Sequence, residues 1–227
     1  MIDLYENSCY TISTKEPIKK EEEEKESEKK ENKKENENEN EKEKNKEIEK
    51  ENKNENEKDN SENARLKKLK QKYEKQGMRR SVCGVLVAHQ FEFPHILLLE
   101  TNDVYELPGG VLKASEGEVE GLKRKLNKYL AKKNQKIDWD IGELLCNWWQ
   151  PNFNGKMYPY IPAHITKVKE CKKMFLVNLP EEIDFCIFSG SKLYAVPLCD
   201  LYENTQKFGN VISALPNILG RFEFIFN

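Results

Sequence analysis

An α/β/α sandwich around a mixed sheet is the fold this sequence predicts. Two observations lead to it. Short apolar runs of strand type alternate with stretches whose apolar residues recur at helical spacing, and one Gly-Gly turn is followed directly by an amphipathic helix. A third sets the boundaries: from Lys19 to Asn63 Ile48 is the only apolar residue. That segment is Lys, Glu, Asn, Ser and Asp, too polar to bury the apolar surface that offsets its ordering entropy. The expected organisation is an N-terminal arm over 1–18, a disordered acidic, Asn-rich insertion over 19–63, and one folded domain over 64–227.

The elements follow in order. Ala64 to Lys75 is basic and compatible with a helix, and it ends before Gly77. Val82 to His89 and His95 to Leu99 read as strands separated by Phe93-Pro94. After Leu107-Pro108-Gly109-Gly110, Val119, Leu122, Leu126 and Leu130 form one apolar stripe, and Ser115 with Glu118 has the pattern of a capping box. Leu144 to Trp149, Tyr160 to Ile165, Met174 to Leu179 and Lys192 to Pro197 are further strand candidates. Leu198 to Asn204 and Val211 to Leu219 carry helical patterns.

The charge is unevenly divided. The 227-residue chain has a formal net charge of -2. Residues 64–227 hold 24 Lys plus Arg against 18 Asp plus Glu, a net +6, while residues 19–63 hold 13 against 19, a net -6. A mildly basic folded part permits an anionic partner such as nucleic acid without requiring one. The six cysteines, at 9, 83, 146, 171, 186 and 199, form no CxxC pair and have no paired histidines, so they read as free thiols, not a zinc site. No apolar run has the length to span a bilayer, and no secretory signal pattern is present. The expectation is an intracellular protein with no membrane association. His89, His95 and His164 sit in or beside apolar strand candidates and read as structural.

The Gly-Gly segment carries chemistry by its spacing. Counting from Gly110, Glu116 and Arg124 fall where a Nudix box has its glutamate and arginine. The following positions, where that box places metal-binding carboxylates, hold Lys125, Lys128 and Tyr129. Mg²⁺ needs anionic oxygen ligands, and lysines repel it. The expectation is therefore no metal, no cofactor and no hydrolysis, with Glu116 in a structural role and the box helix kept for packing.

Several motifs in one order then resemble a known family. Gly77-Met78-Arg79-Arg80-Ser81-Val82, Leu107-Pro108-Gly109-Gly110, Asn147-Trp148-Trp149-Gln150-Pro151-Asn152-Phe153 and Tyr158-Pro159-Tyr160-Ile161-Pro162-Ala163-His164 are similar to the small Nudix subunits of eukaryotic cleavage factor I, which act in mRNA 3′-end processing. The resemblance covers 64–227, and Ile2-Asp3-Leu4-Tyr5 with Thr14-Lys15-Glu16-Pro17 resembles the family's N-terminal arm. It implies a non-catalytic nuclear subunit that binds single-stranded pre-mRNA at a UGUA-like element. It also implies a homodimer, joined by a larger subunit with an RNA-recognition motif.

The resemblance also implies site residues. Glu57 and Arg65 match a base-reading pair, a role consistent with guanidinium donors for guanine O6 and N7 and a carboxylate acceptor for guanine N–H groups. Tyr105 is the candidate stacking platform, with Leu107, Phe208 and Gly209 around the same cleft. The plain alternatives are that Glu57 and Arg65 are solvated charges and Tyr105 an ordinary strand residue. This chain departs from the family pattern at Val104, where a second aromatic is expected, at Cys83, where a glutamate is expected, and at Phe208, where a tyrosine is expected. Trp148-Trp149 and Tyr158-Pro159-Tyr160 are expected in core and dimer packing. Two rival readings remain open: a Nudix hydrolase or binder of dinucleoside polyphosphates, and an assembly scaffold without RNA specificity.

Overall fold

The computed structural model describes residues 1–15, 64–132, 135–153 and 155–227. The insertion expected over 19–63, and Glu57 with it, lies outside the described residues. Contacts divide the chain into two units, one of 1–17 with 76–227 and one of 18–75. Residues 64–76, all but Gln76 of them in the smaller unit, form helix α1, on which Leu66, Leu69 and Tyr73 are half-buried at helical spacing and Arg65 is exposed.

The larger unit is built on a seven-stranded mixed sheet. Its strands are β3 (Arg79–Gln90), β4 (Phe93–Thr101), β5 (Val104–Glu106), β6 (Gly109–Val111), β7 (Asp140–Gln150), β8 (Glu170–Asn178) and β10 (Ser191–Pro197). The main order is β10-β4-β3-β8-β7, with β5 on β4 and β6 on β3. β3 and β8 run parallel, with Cys83 opposite Met174, and the other pairs in this sheet are antiparallel.

Strand alternation makes the three layers. Along β3, Val82, Leu86 and Ala88 pack on one face with Leu122, Leu126 and Leu130 of α2 (Glu118–Leu130), while Cys83, Val85 and Val87 pack on the other with Leu201, Phe208, Ile212, Leu215 and Leu219. Those last residues belong to α3 (Leu198–Leu201), α4 (Thr205–Ser213) and α5 (Leu215–Leu219). The predicted α/β/α sandwich is therefore the observed fold. Gly84 lets β3 approach α2, because a methyl there would press on Val177 and Leu126.

The N-terminal arm is part of the fold. β1 (Ile2–Leu4) pairs in parallel with β11 (Phe224–Phe226), and β2 (Tyr10–Lys15) pairs in parallel with β9 (Ile183–Phe188). Lys15 ends β2 with its Nζ donating to the carbonyls of Lys128 at 2.8 Å and Ala131 at 2.7 Å, and it lies 4.5 Å from the Phe188 ring centroid. A cation at the last turn of α2 satisfies carbonyls that the helix itself cannot.

Five expectations are corrected. Phe93-Pro94 lies inside β4, and the turn is Phe91-Glu92, both at positive φ (51° and 62°), the geometry of a tight two-residue hairpin. Tyr160 to Ile165 is not a strand: Pro159 and Pro162 lack the N–H groups a ladder needs. Consequently His164 is an exposed loop residue, whereas His89 and His95 are buried, bonded to the main-chain oxygens of Asn227 at 3.0 Å and Phe93 at 2.7 Å. Ser115 does not cap α2, whose N-cap is Gly117. Residues 113–116 close on themselves instead, with the Lys113 N–H donating to the Glu116 carboxylate at 3.0 Å, while Glu118 turns to Arg80 and Lys173. Val119 leaves the apolar stripe and is 43% exposed.

The C-terminal helices begin and end differently from their sequence patterns. The helical pattern over 198–204 is reduced to α3, and the one over 211–219 is split between α4 and α5, because Pro216 starts a new helix.

Candidate functional site

An open cleft of about 460 Å³ lies between the start of β3, the β5 strand, the Gly-Gly turn and the kinked helix α4. One wall is aromatic. Tyr105 of β5 and Phe208 of α4 have ring centroids 5.0 Å apart at an interplanar angle of 57°, and Tyr194 stands edge-on to Tyr105 at 6.1 Å. Burial, followed by the charge and hydrogen bonding of the neighbouring Glu100, pushes the Tyr105 hydroxyl above its ordinary range.

Gly209 gives this wall its shape. It interrupts α4 at φ 75°, ψ 168°, a conformation that L side chains rarely adopt. A Cβ there would meet nothing within 4 Å, so the glycine serves the backbone turn and leaves the cleft open. Gly109 serves close approach: a Cβ would collide with the Val82 carbonyl and the Cys83 backbone. It holds the Gly-Gly turn against β3, and the Gly84 N–H donates to the Pro108 carbonyl at 2.8 Å.

The β3 side of the cleft is polar but internally matched. The Glu170 carboxylate is buried and accepts from Arg79 Nε at 2.6 Å, Arg79 Nη2 and Ser81 Oγ at 2.6 Å. Cys83 is buried beside them, its thiol donating to the Lys173 carbonyl at 3.7 Å. Burial pushes that thiol up to about 12, so it is neutral at physiological pH and offers no anionic oxygen or sulfur. Lys156 and Lys172 also line the cleft. Lys207 stands 5.4 Å from the Tyr105 ring centroid and 5.1 Å from that of Phe208.

The box residues are occupied with structure. Glu116 accepts from Arg124 Nε and Nη2, which holds its carboxyl down at about 2, from an ordinary 4.5. Tyr129 packs edge-on to Phe188 at 6.2 Å and lines a smaller cavity of about 110 Å³ with Leu107 and Pro108. Lys128 is exposed, and Lys125 is half-buried beside Gly110. Among the described residues no group of three or more His, Cys, Asp and Glu side chains is arranged to hold a metal ion.

Of the residues expected at the site, Tyr105, Leu107, Phe208 and Gly209 line the one cleft, together with Cys83 and Val104. Arg65 is an exposed residue of α1 in the smaller unit. Tyr105 is both a strand residue and a wall of the cleft, so the two readings of it are compatible. Sequence reasoning missed Lys207 and the Arg79–Glu170–Ser81 network. Lys207 adjoins Phe208-Gly209, but only the fold brings it over Tyr105. Trp148 is in the core as expected, and Tyr160, expected in core or dimer packing, is 60% exposed on the single chain.

Comparison with known proteins agrees with the fold. A Nudix family model, described as nucleotide hydrolase, matches residues 42–222. The chain is 44% identical over 169 residues to the cleavage and polyadenylation specificity factor subunit 5 of Dictyostelium discoideum, covering 73% of this chain and 84% of that protein. It is 48% identical over 163 residues to the pre-mRNA cleavage factor Im 25 kDa subunit 2 of Arabidopsis thaliana, covering 70% and 82%. Among solved structures, the Nudix domain of Shewanella oneidensis NrtR complexed with ADP ribose matches with 16% identity and a TM-score of 0.43, covering 63% of this chain and 86% of that one. With its Gly-Gly turn, box helix and three-layer sandwich in place, the chain belongs to the Nudix family of cleavage factor Im 25 kDa subunits, also named cleavage and polyadenylation specificity factor subunit 5.

Proposed function

We propose that this protein is a non-catalytic, RNA-binding subunit of the nuclear pre-mRNA cleavage and polyadenylation machinery, and that its cleft receives a UGUA-like single-stranded element. A role in pre-mRNA 3′-end processing follows from relatives that are named as pre-mRNA cleavage factor subunits. RNA binding is carried by one observation: the Tyr105 and Phe208 rings share a wall of a cleft with an open glycine turn and lysines, a surface suited to splayed bases and a phosphate backbone. Leu107 adds an apolar contact at the turn.

The non-hydrolytic reading is supported by the chemistry of the box. Glu116 is committed to Arg124, and Lys125, Lys128 and Tyr129 supply no carboxylate for Mg²⁺. Arg65, with Glu57, is the proposed base-reading pair. The proposed assembly is a homodimer with a larger subunit carrying an RNA-recognition motif, in which linked sites raise the effective concentration.

Fluorescence-anisotropy titration with UGUA-containing and scrambled RNAs tests the reading. The purified protein is expected to prefer the UGUA-containing RNA, and Arg65→Ala and Tyr105→Ala to weaken that preference. Equal affinity for both RNAs would favour a scaffold whose cleft carries no RNA specificity.

A further inference from the structure

A cation lies at the edge of the aromatic wall of the cleft. The Tyr105 and Phe208 rings are tilted 57° to each other with centroids 5.0 Å apart, and the Lys207 ammonium lies within cation–π range of both, at 5.4 and 5.1 Å. Among the described residues Lys207 is in no ion pair with a carboxylate, and its side chain is exposed. A base stacking on that side of the rings would meet this cation.

We propose that Lys207 is a mobile cover for the Tyr105–Phe208 platform, displaced by an incoming base and transferred to a backbone phosphate of the same strand. The proposal rests on reading the cleft as an RNA site. Three physical points carry it. An exposed cation–π contact is weaker than the stacking of a whole base, so the base wins the ring face. The displaced ammonium keeps its charge and sits on a flexible four-carbon stem, so it can swing without moving α4. Its attachment next to Phe208 keeps it at the rim of the platform, where the backbone of a stacked nucleotide passes. Lys207 thus has one partner in the free protein and another in the complex, and the gain in phosphate attraction offsets the loss of the ring contact.

This makes Lys207 an affinity determinant that does not read sequence. The test is titration of UGUA-containing and scrambled RNA over a series of salt concentrations, with wild type, Lys207→Gln and Lys207→Arg. For one phosphate contact on a single strand, Lys207→Gln is expected to reduce the slope of log affinity against log salt by about 0.7. Its deficit therefore grows about threefold for each fivefold lowering of salt. The ratio of affinities for the two RNAs is expected to stay the same, and Lys207→Arg to retain the wild-type slope. In the RNA-free protein, Lys207→Gln should shift the ring resonances of Tyr105 and Phe208, and RNA should shift those of wild type. An unchanged salt slope in Lys207→Gln overturns the cover-and-transfer role while leaving the RNA reading intact. Wild-type protein that binds neither RNA overturns both.

Discussion

Arg124 holds both carboxylate oxygens of Glu116, with Nε at 2.5 Å from Oε1 and Nη2 at 2.6 Å from Oε2. The pair ties the loop before α2 to the middle of that helix, a bidentate geometry that lysine cannot reproduce. It makes the pair a brace between loop and helix. Because the folded-state carboxyl is depressed to about 2, its stabilising effect is fully present above the unfolded value near 4.5 and is lost as pH falls through about 2. Denaturant midpoints measured from pH 5 down to pH 2 should fall more steeply for wild type than for Glu116→Gln, which lacks the titrating group. Parallel curves would count against the brace.

Lys15 closes the other end of α2. Lys15→Met keeps much of the stem's packing against Phe188 but removes the donor to the Lys128 and Ala131 carbonyls. A loss of about 1 kcal/mol in urea unfolding is expected, with faster amide exchange in the last turn of the helix. Unaltered exchange there would show that the contact carries no stability.

Two glycines are expected to differ in kind. Gly209→Ala enters open space but a strained φ, and should cost about 1 to 3 kcal/mol while distorting the aromatic wall. Gly109→Ala brings a methyl onto the Val82 carbonyl, so it should be the more destabilising of the two and reduce the yield of folded protein. Thermal melts of the two variants beside wild type give the order directly.

Tyr105→Ala removes a ring that contacts both Phe208 and Tyr194. RNA affinity should fall by about 1 to 3 kcal/mol, or about 5- to 150-fold, if the ring stacks on a base. Tyr105→Phe keeps the ring and should recover most of that loss. An equal loss in both variants would assign the effect to the hydroxyl.

Metal should be irrelevant to the cleft. Phosphate release from dinucleoside polyphosphates in Mg²⁺ should not exceed that of a protein-free control. Turnover that disappears in Glu116→Gln would restore the hydrolase reading.

Legibility in the sequence followed from how locally each feature is encoded. The α2 stripe of Leu122, Leu126 and Leu130 was readable because helical periodicity places them on one face, and all three are fully buried. β2 was not readable: its burial runs from Tyr10 through four exposed residues to a half-buried Lys15, without alternation, because it is held by backbone pairing with β9. The Ser115 cap was misread because a local motif competed with the stronger ion pair of Glu116 and Arg124. Tyr105, Phe208 and Gly209, expected by resemblance to a family, line one cleft, whereas Lys207 has no motif of its own.

By itself the sequence determined the α/β alternation, the Gly-Gly turn, and the amphipathic box helix with Lys125, Lys128 and Tyr129 on it. These are matters of residue type and short-range spacing. Tertiary structure alone decided that Lys207 faces the Tyr105 and Phe208 rings, that Glu170 gathers Arg79 and Ser81, and that Lys15 ends at the box helix. Apart from that of Lys207 with the adjacent Phe208, those contacts join segments distant in the chain, and only the strand order and the packing of helices on the sheet bring them together.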